Sequence, residues 1–246
     1  MHRIAAERLA RAHYADAALY DLRYARRRHD VAFYVAQAKS PCLELGAGTG
    51  RITRALIAAG IEVTALEREP AMCRRLADSG ARVVRGDMRS LVLREKFASV
   101  IAPFHVLSHL HESADLVALL HRVRSWLRSR CHFVFDVPMP NAYMLALSPK
   151  RRYRMGFATV SGERYRYLES FDYDPVRQLQ TVIAHYDFKT AAHDKSFVVP
   201  LLHRHYFPQE LRALLHAGGF DIKRHDGDFV GGALTAESDE QVVVVA

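Results

Sequence analysis

Apolar and polar positions along the chain follow three rhythms. After Pro41, short apolar runs alternate with segments whose apolar residues recur at the helical period. PCLELGA, IEVTALE, ARVVRGD, FASVIAPF and CHFVFDV read as strands; GRITRALIAAG, PAMCRRLADSG and SADLVALLHRVRSWLRS read as the helices between them. Gly60 closes the first of these helices, and Pro70 and Gly80 bracket the second, the usual asymmetry of helix punctuation. Such alternation implies right-handed crossovers and a mainly parallel sheet with helices on both faces. From Tyr153 to Tyr206 the period falls to two and aromatics multiply, as in YRMGFATV, RYRYLESFDYD, RQLQTVIAHYDFK and KSFVVPLLHRHYF, predicting three or four antiparallel strands. PQELRALLHAGGF then restores a helix, and DIKRHDGDF and EQVVVVA supply two last strands. Before Pro41 the pattern is helical, with apolar faces at Ala6, Leu9 and Ala10, at Leu19, Leu22 and Tyr24, and at Val31, Phe33, Tyr34 and Val35.

The fold class expected from this is α/β, a doubly wound seven-stranded sheet with an inserted antiparallel meander. Residues 1–40 would form a helical cap, 41–139 and 207–246 the core, and 140–206 the insert.

Composition narrows the picture modestly. Half of the 246 residues are hydrophobic and 25% are charged, which suits a folded chain with a full-sized core. The net charge of +8 would admit an anionic partner, but much of the excess lies in runs such as Arg26–Arg28 and Lys150–Arg152, the usual chemistry of solvated faces. Cys42, Cys73 and Cys131 are isolated in sequence, so a reduced, cytoplasmic protein is expected. The N-terminal MHRIAAERLARAHY lacks the apolar core of a secretion signal, and no run of about 18 apolar residues suggests a membrane span.

The chemistry gathers at strand ends. Gly46-Ala47-Gly48-Thr49-Gly50 follows the first strand and opens a helix, where backbone amides and a helix N-terminus can meet a ligand. Glu67 ends the second strand, placed to accept both hydroxyls of a ribose. Asp87 ends the third, where its carboxylate could take the amino hydrogens of an adenine, beside the amide and side chain of Met88. The glycine spacing is G-x-G-x-G rather than G-x-G-x-x-G, which disfavours a dinucleotide and leaves a sulfonium nucleoside.

These stretches, LELGAGTGRIT, VTALERE, RGDMR, FASVIAPFHVLSHL, LLHRVRSWLRS and FPQELRALLHAGGF, resemble the class I S-adenosylmethionine-dependent methyltransferases, in particular the branch acting on small molecules. The resemblance implies a Rossmann-like core and S-adenosyl-L-methionine as cofactor. It implies that Glu44 and the loop Gly46, Ala47, Gly48 and Gly50 hold the methionine part, Glu67 the ribose, and Asp87 with Met88 the adenine, with Pro103 bordering the site. Arg68, where a small polar residue is more familiar, would make the ribose side more crowded or electropositive. Tyr14, Tyr20 and Tyr24 resemble the tyrosines with which related enzymes close over the cofactor and the reacting methyl; Tyr20 and Tyr24 stand one helical turn apart. The inserted meander resembles a substrate lid.

Methyl transfer to a small acceptor asks the protein to align a nucleophile and, where needed, to remove its proton. The fourth strand end offers His109 and His105 as base or orienter, Phe104 beside them, and Ser108 for positioning. Asp136 and Asn141, past the fifth strand, could anchor a polar substrate. The meander adds Tyr153, Arg154, Tyr167, His185 and Tyr186 and the cluster His203, Arg204, His205 and Tyr206, half of which must face away from any one cleft. Equally ordinary readings exist for single residues: a histidine is more often structural than catalytic, and a strand-end acid often faces water.

The function expected is methyl transfer to a nitrogen, or an oxygen, of a small metabolite in secondary metabolism, by a monomer or homodimer, with no metal and no membrane. One alternative is a nucleic-acid methyltransferase, but the fourth strand end reads APFH rather than an Asn/Asp-Pro-Pro-aromatic box, and no RNA-binding module is appended. Another is a cofactor-binding partner protein without activity.

Overall fold

A computed structural model describes residues 13–24, 26–190 and 193–246; the helix predicted over the first twelve residues lies outside them. The apolar runs after Pro41 become β1 (Cys42–Leu45), β2 (Val63–Glu67), β3 (Arg82–Arg85), β4 (Phe97–Ala102) and β5 (Leu127–Pro138), paired with one another in parallel. Every residue of β1 and β2 is buried, the signature of strands covered on both faces. Between them run α3 (Arg51–Ala58), α4 (Pro70–Leu76) and α5 (Ser113–Trp126), and before them α1 (Ala17–Tyr24) and α2 (Val31–Gln37).

The last two strands, β10 (Ile222–Asp226) and β11 (Glu240–Val245), join antiparallel and complete a seven-stranded sheet in the order β10-β11-β5-β4-β1-β2-β3. The chain steps from β1 outward through β2 to β3, then returns to the other side of β1 with β4. The strand order therefore reverses at β1 and β4, and a crevice opens beyond their carboxyl ends.

Two apolar layers cover this sheet. On one face α5 lays down Leu116, Leu119, Leu120, Val123 and Trp126, spaced as one helical stripe, together with Leu211 and Leu215 of α7 (Pro208–Ala217). On the other, Phe33 and Tyr34 of α2 pack with Ile52 and Leu56 of α3 and Leu76 of α4.

The period-two segment forms a separate antiparallel sheet of β6 (Tyr153–Val160), β7 (Glu163–Asp174), β8 (Leu179–Asp187) and β9 (Phe197–Arg204), in that order. Polar clamps fasten it to the core. Arg204 at the end of β9 donates to the carbonyl of His111, to Ser113, to Gln178 and to Glu210 at 2.5–3.2 Å. Arg23 of α1 reaches Glu169 of β7 at 2.6 Å.

The helical reading before Pro41 breaks at the turn ahead of α2, where Asp30 is fully buried and holds Arg51 through two bonds of 2.5 and 2.7 Å. At the other end of the core, β5 begins directly after α5 and is longer than its apolar run because its first residues extend into solvent. A short helix not anticipated, α6 (Ala142–Leu145), follows β5. No helix of the described residues is long and apolar enough to cross a membrane.

Candidate active site

The loop after β1 is shaped by positions that only glycine fills. Gly46 has φ +64°, and a Cβ there would stand 2.6 Å from Cγ2 of Val106, a stiff β-branched side chain beyond β4. Gly50 has φ +92° at the start of α3, where a Cβ would meet Arg54 at 2.5 Å and Leu76 at 2.8 Å. Opposite the loop, Glu67 is the organising acid. Its carboxylate accepts the amide of Gly48 at 2.8 Å, of Arg68 at 2.6 Å and of Glu69 at 2.8 Å. Burial raises its pKa, and the three amides oppose that rise. Glu44, behind the loop, is also enclosed; burial pushes its carboxyl up to about 8, against the hydroxyl of Thr53 that donates to it at 2.6 Å.

At the end of β3, Asp87 makes a tight turn with the amide of Arg89 at 2.9 Å and takes the Arg89 guanidinium at 2.6 Å. Burial works against its charge, but these bonds and the charge of Arg89 hold it down at about 2. Arg68 bridges the ends of β2 and β3, reaching Glu69 at 3.3 Å and Asp87 at 3.5 Å.

The end of β4 carries a local strain. Phe104 and His105 both have positive φ, +60° and +59°, which side chains rarely adopt. Asp136 of β5 holds them there: it is fully buried and accepts the amides of Phe104 at 2.7 Å and His105 at 3.1 Å, plus the phenol of Tyr34 at 2.5 Å. Replacing Tyr34 with phenylalanine is therefore expected to cost about 1–2 kcal/mol in chemical denaturation, because a buried carboxylate loses one of its three donors while the ring volume stays. His105, turned by this kink, points to Glu240 at 2.5 Å, and Arg27 reaches the same Glu240 at 3.0 Å. His105, Asp136 and Glu240 thus bring ligand-type atoms within 4.8 Å, a grouping spread over distant segments that sequence spacing did not reveal. The Arg27 guanidinium already supplies its positive charge.

The 3-10 turn Val106–His109 sends His109 the other way. Its Nε2 shares a 2.7 Å hydrogen bond with the phenol of Tyr14. Burial, with the neighbouring His111 and His13, lowers the His109 pKa to about 3, and burial raises that of Tyr14 well above its ordinary value. Tyr24 bonds His13 at 3.1 Å and packs edge-on against Phe104, over which the Arg27 guanidinium lies at 4.2 Å.

One cleft gathers most of the residues singled out in the sequence. Its walls include Tyr14, Tyr20, Glu44, Gly46, Ala47, Gly48, Glu67, Arg68, Asp87, Met88, Pro103, Phe104 and His109. Gly50, Tyr24 and His105 are not among the residues that line it. Asp136 and Tyr206 are fully buried, Tyr206 donating to the carbonyl of Leu110 at 2.6 Å. Asn141 caps α6, accepting the amide of Met144 at 3.2 Å. Tyr153 lies in the second sheet against Phe171, and His205 is buried on Gln180 at 3.1 Å. The cleft also recruits Thr49 of the glycine loop, and Arg51, Arg89, His111 and Arg177, which sequence reasoning passed over.

Residues 42–130 match a family model described as a methyltransferase domain. That stretch spans β1 to the start of β5, and the whole fold, a seven-stranded sheet with an added antiparallel one, is shared with solved methyltransferase structures. Among solved structures it is similar to the CcbJ methyltransferase of Streptomyces caelestis, with 24% identity, 95% of this chain and 97% of that one covered, and a TM-score of 0.77. It is also similar to SAM-bound CalS10 of Micromonospora echinaspora, an amino pentose methyltransferase involved in calicheamicin biosynthesis, at 20% identity, 92% and 95% coverage and a TM-score of 0.70. A stretch of 71 residues is 52% identical to the mycinamicin-resistance protein MyrB of Micromonospora griseorubida, a match spanning 28% of this chain and 21% of that protein.

Proposed function

We propose that the protein transfers a methyl group from S-adenosylmethionine to the nitrogen of a small metabolite in secondary metabolism. The donor set of the cleft fits that cofactor: a glycine-rich loop, an enclosed carboxylate at each of the first two strand ends, and an acid beside an apolar methionine at the third. Gly46, Ala47 and Gly48 with Tyr20 would border its amino-acid end, Glu67 would take the ribose hydroxyls, and Asp87 with Met88 the adenine. An adenine amino group would compete for Asp87 with Arg89 at 2.6 Å and Arg68 at 3.5 Å. When bound, the cofactor supplies a methyl group on a positively charged sulfur leaving group.

The observation that favours nitrogen over oxygen is the state of His109. An alcohol must lose its proton to attack, and an imidazole held near 3 is too weak a base to take it. A neutral amine needs alignment alone. With the ring proton on Nε2, the oxygen of Tyr14 accepts it and Nδ1 keeps a lone pair to hold an amine hydrogen. His109 is then an orienting group, and Tyr14 fixes its ring. The amino pentose acceptor named for CalS10 supports the same class of acceptor.

Radiolabelled methyl transfer from S-adenosylmethionine to a panel of methyl aminohexosides, aminocyclitols and simple alcohols tests this. Amines should be labelled and alcohols should not; the reverse preference would overturn the reading. Calorimetry with S-adenosylhomocysteine tests the cofactor half. Glu67→Gln is expected to weaken binding by roughly 10- to 100-fold, because bonds to a charged acceptor are worth about 1.5–3 kcal/mol. Unchanged affinity would remove Glu67 from the ribose.

A further inference from the structure

His203 belongs to β9, the last strand of the second sheet, and lies outside the set that lines the cofactor cleft. Its ring lies near two others from the β4 end, 5.0 Å from that of His109 and 6.4 Å from that of His105, edge-on to both. The strand is fixed at this point, since the adjacent Arg204 is clamped to four partners. On these two neighbouring rings one nitrogen each is left over: Nε2 of His203 and Nδ1 of His109 are buried and, among the described residues, reach no hydrogen-bond partner, as is also true of Nδ1 of His13, His185, His205 and His225. Just past the strand, His205 has its Nε2 on Gln180 at 3.1 Å and its Nδ1 unpartnered, and Nε2 of His109 is on Tyr14 at 2.7 Å.

Unpartnered buried polar atoms cost free energy, and a pair of them beside a reaction centre is where a polar ligand is best repaid. We propose that His203 is an acceptor-positioning residue, its Nε2 binding a hydroxyl on the carbon next to the acceptor nitrogen while Nδ1 of His109 holds the nitrogen itself. This rests on the function proposed above and adds to it the class of acceptor, a vicinal amino alcohol. With ring centroids 5.0 Å apart, the two nitrogens would be served together by two polar functions carried on adjacent carbons. Burial, together with His109, His105 and His205, holds His203 well below its ordinary pKa, so the ring is neutral and presents one lone pair or one N–H rather than a repelling charge.

The test pairs each methyl aminohexoside of the panel with its deoxy counterpart lacking the vicinal hydroxyl. The wild-type protein is expected to show at least a 10-fold lower KM for the amino alcohol. His203→Phe, which keeps a ring of similar size, should raise that KM about 10-fold, leave the deoxy compound unaffected and leave the affinity for S-adenosylhomocysteine unchanged. His203→Gln should restore part of the preference, because an amide offers both a donor and an acceptor. Equal discrimination in the wild type and in His203→Phe, or loss of both substrates alike, would make His203 a packing residue and overturn the proposal. No methyl transfer by the wild type to any amine would instead defeat the proposed function, and this assignment with it.

Discussion

Lowering the pH from 7 to 5 is expected to remove several kcal/mol of folding stability, well before the surface carboxylates titrate. The cause is the number of histidines kept neutral by burial. His13 and His109 are lowered to about 3 and His205 to about 4, and His111, His185, His203 and His225 are lowered in the same direction. In the unfolded chain each would take a proton near pH 6.5. Below that value the unfolded state binds protons that the folded state refuses. Stability present above about 6.5 therefore drains away toward the folded pKa values, by roughly 1.4 kcal/mol per pH unit for each fully shifted ring.

Buried carboxyls act the other way. Glu44, raised to about 8, and Glu67 and Asp136, also raised, gain stability as the pH falls toward their unfolded values. Seven imidazoles against three carboxyls leave acid as the destabilising direction. Urea titrations at pH 7, 6 and 5 measure the slope, and His13→Phe should lower it by about one proton's worth. A flat profile would mean that the histidine interior is open to solvent.

Much of the fold was legible because its signals are local. The alternation of apolar runs with helical stripes, punctuated by Gly60, Pro70 and Gly80, depends on nothing beyond ten or so residues, and it returned the seven-stranded sheet and the four-stranded one. That Gly46, Glu67 and Asp87 come to line one cleft was legible for the same reason, since each stands at the end of a strand that the pattern had already placed. The acceptor side was not. His105 and His109 are four residues apart and on a helix would share a face, yet two successive left-handed residues turn one to Glu240 and the other to Tyr14. That kink is held by Asp136, a residue 31 positions further on, and no local pattern announces it. Nor could periodicity say which face of β9 meets the core, because a one-residue slip exchanges the two faces of a strand.

If His109 orients rather than deprotonates, its loss should leave a particular trace. His109→Ala is expected to lower kcat about 100-fold, since an amine free to swing by an ångström loses roughly that factor in alignment. The affinity for S-adenosylhomocysteine should change little, because Glu67 and the glycine loop stand on other strand ends. The shape of the pH profile is the decisive reading. With the imidazole near 3, no step between pH 5 and 9 belongs to it, and kcat/KM should rise with pH along the ionisation of the acceptor amine in wild type and variant alike. His109→Gln, which keeps a hydrogen-bond acceptor near the same place, should recover part of the rate. An inflection near pH 6.5 that is present in the wild type and gone from His109→Ala would show a working base instead. Transfer to oxygen would then regain the standing that the buried, neutral ring denies it.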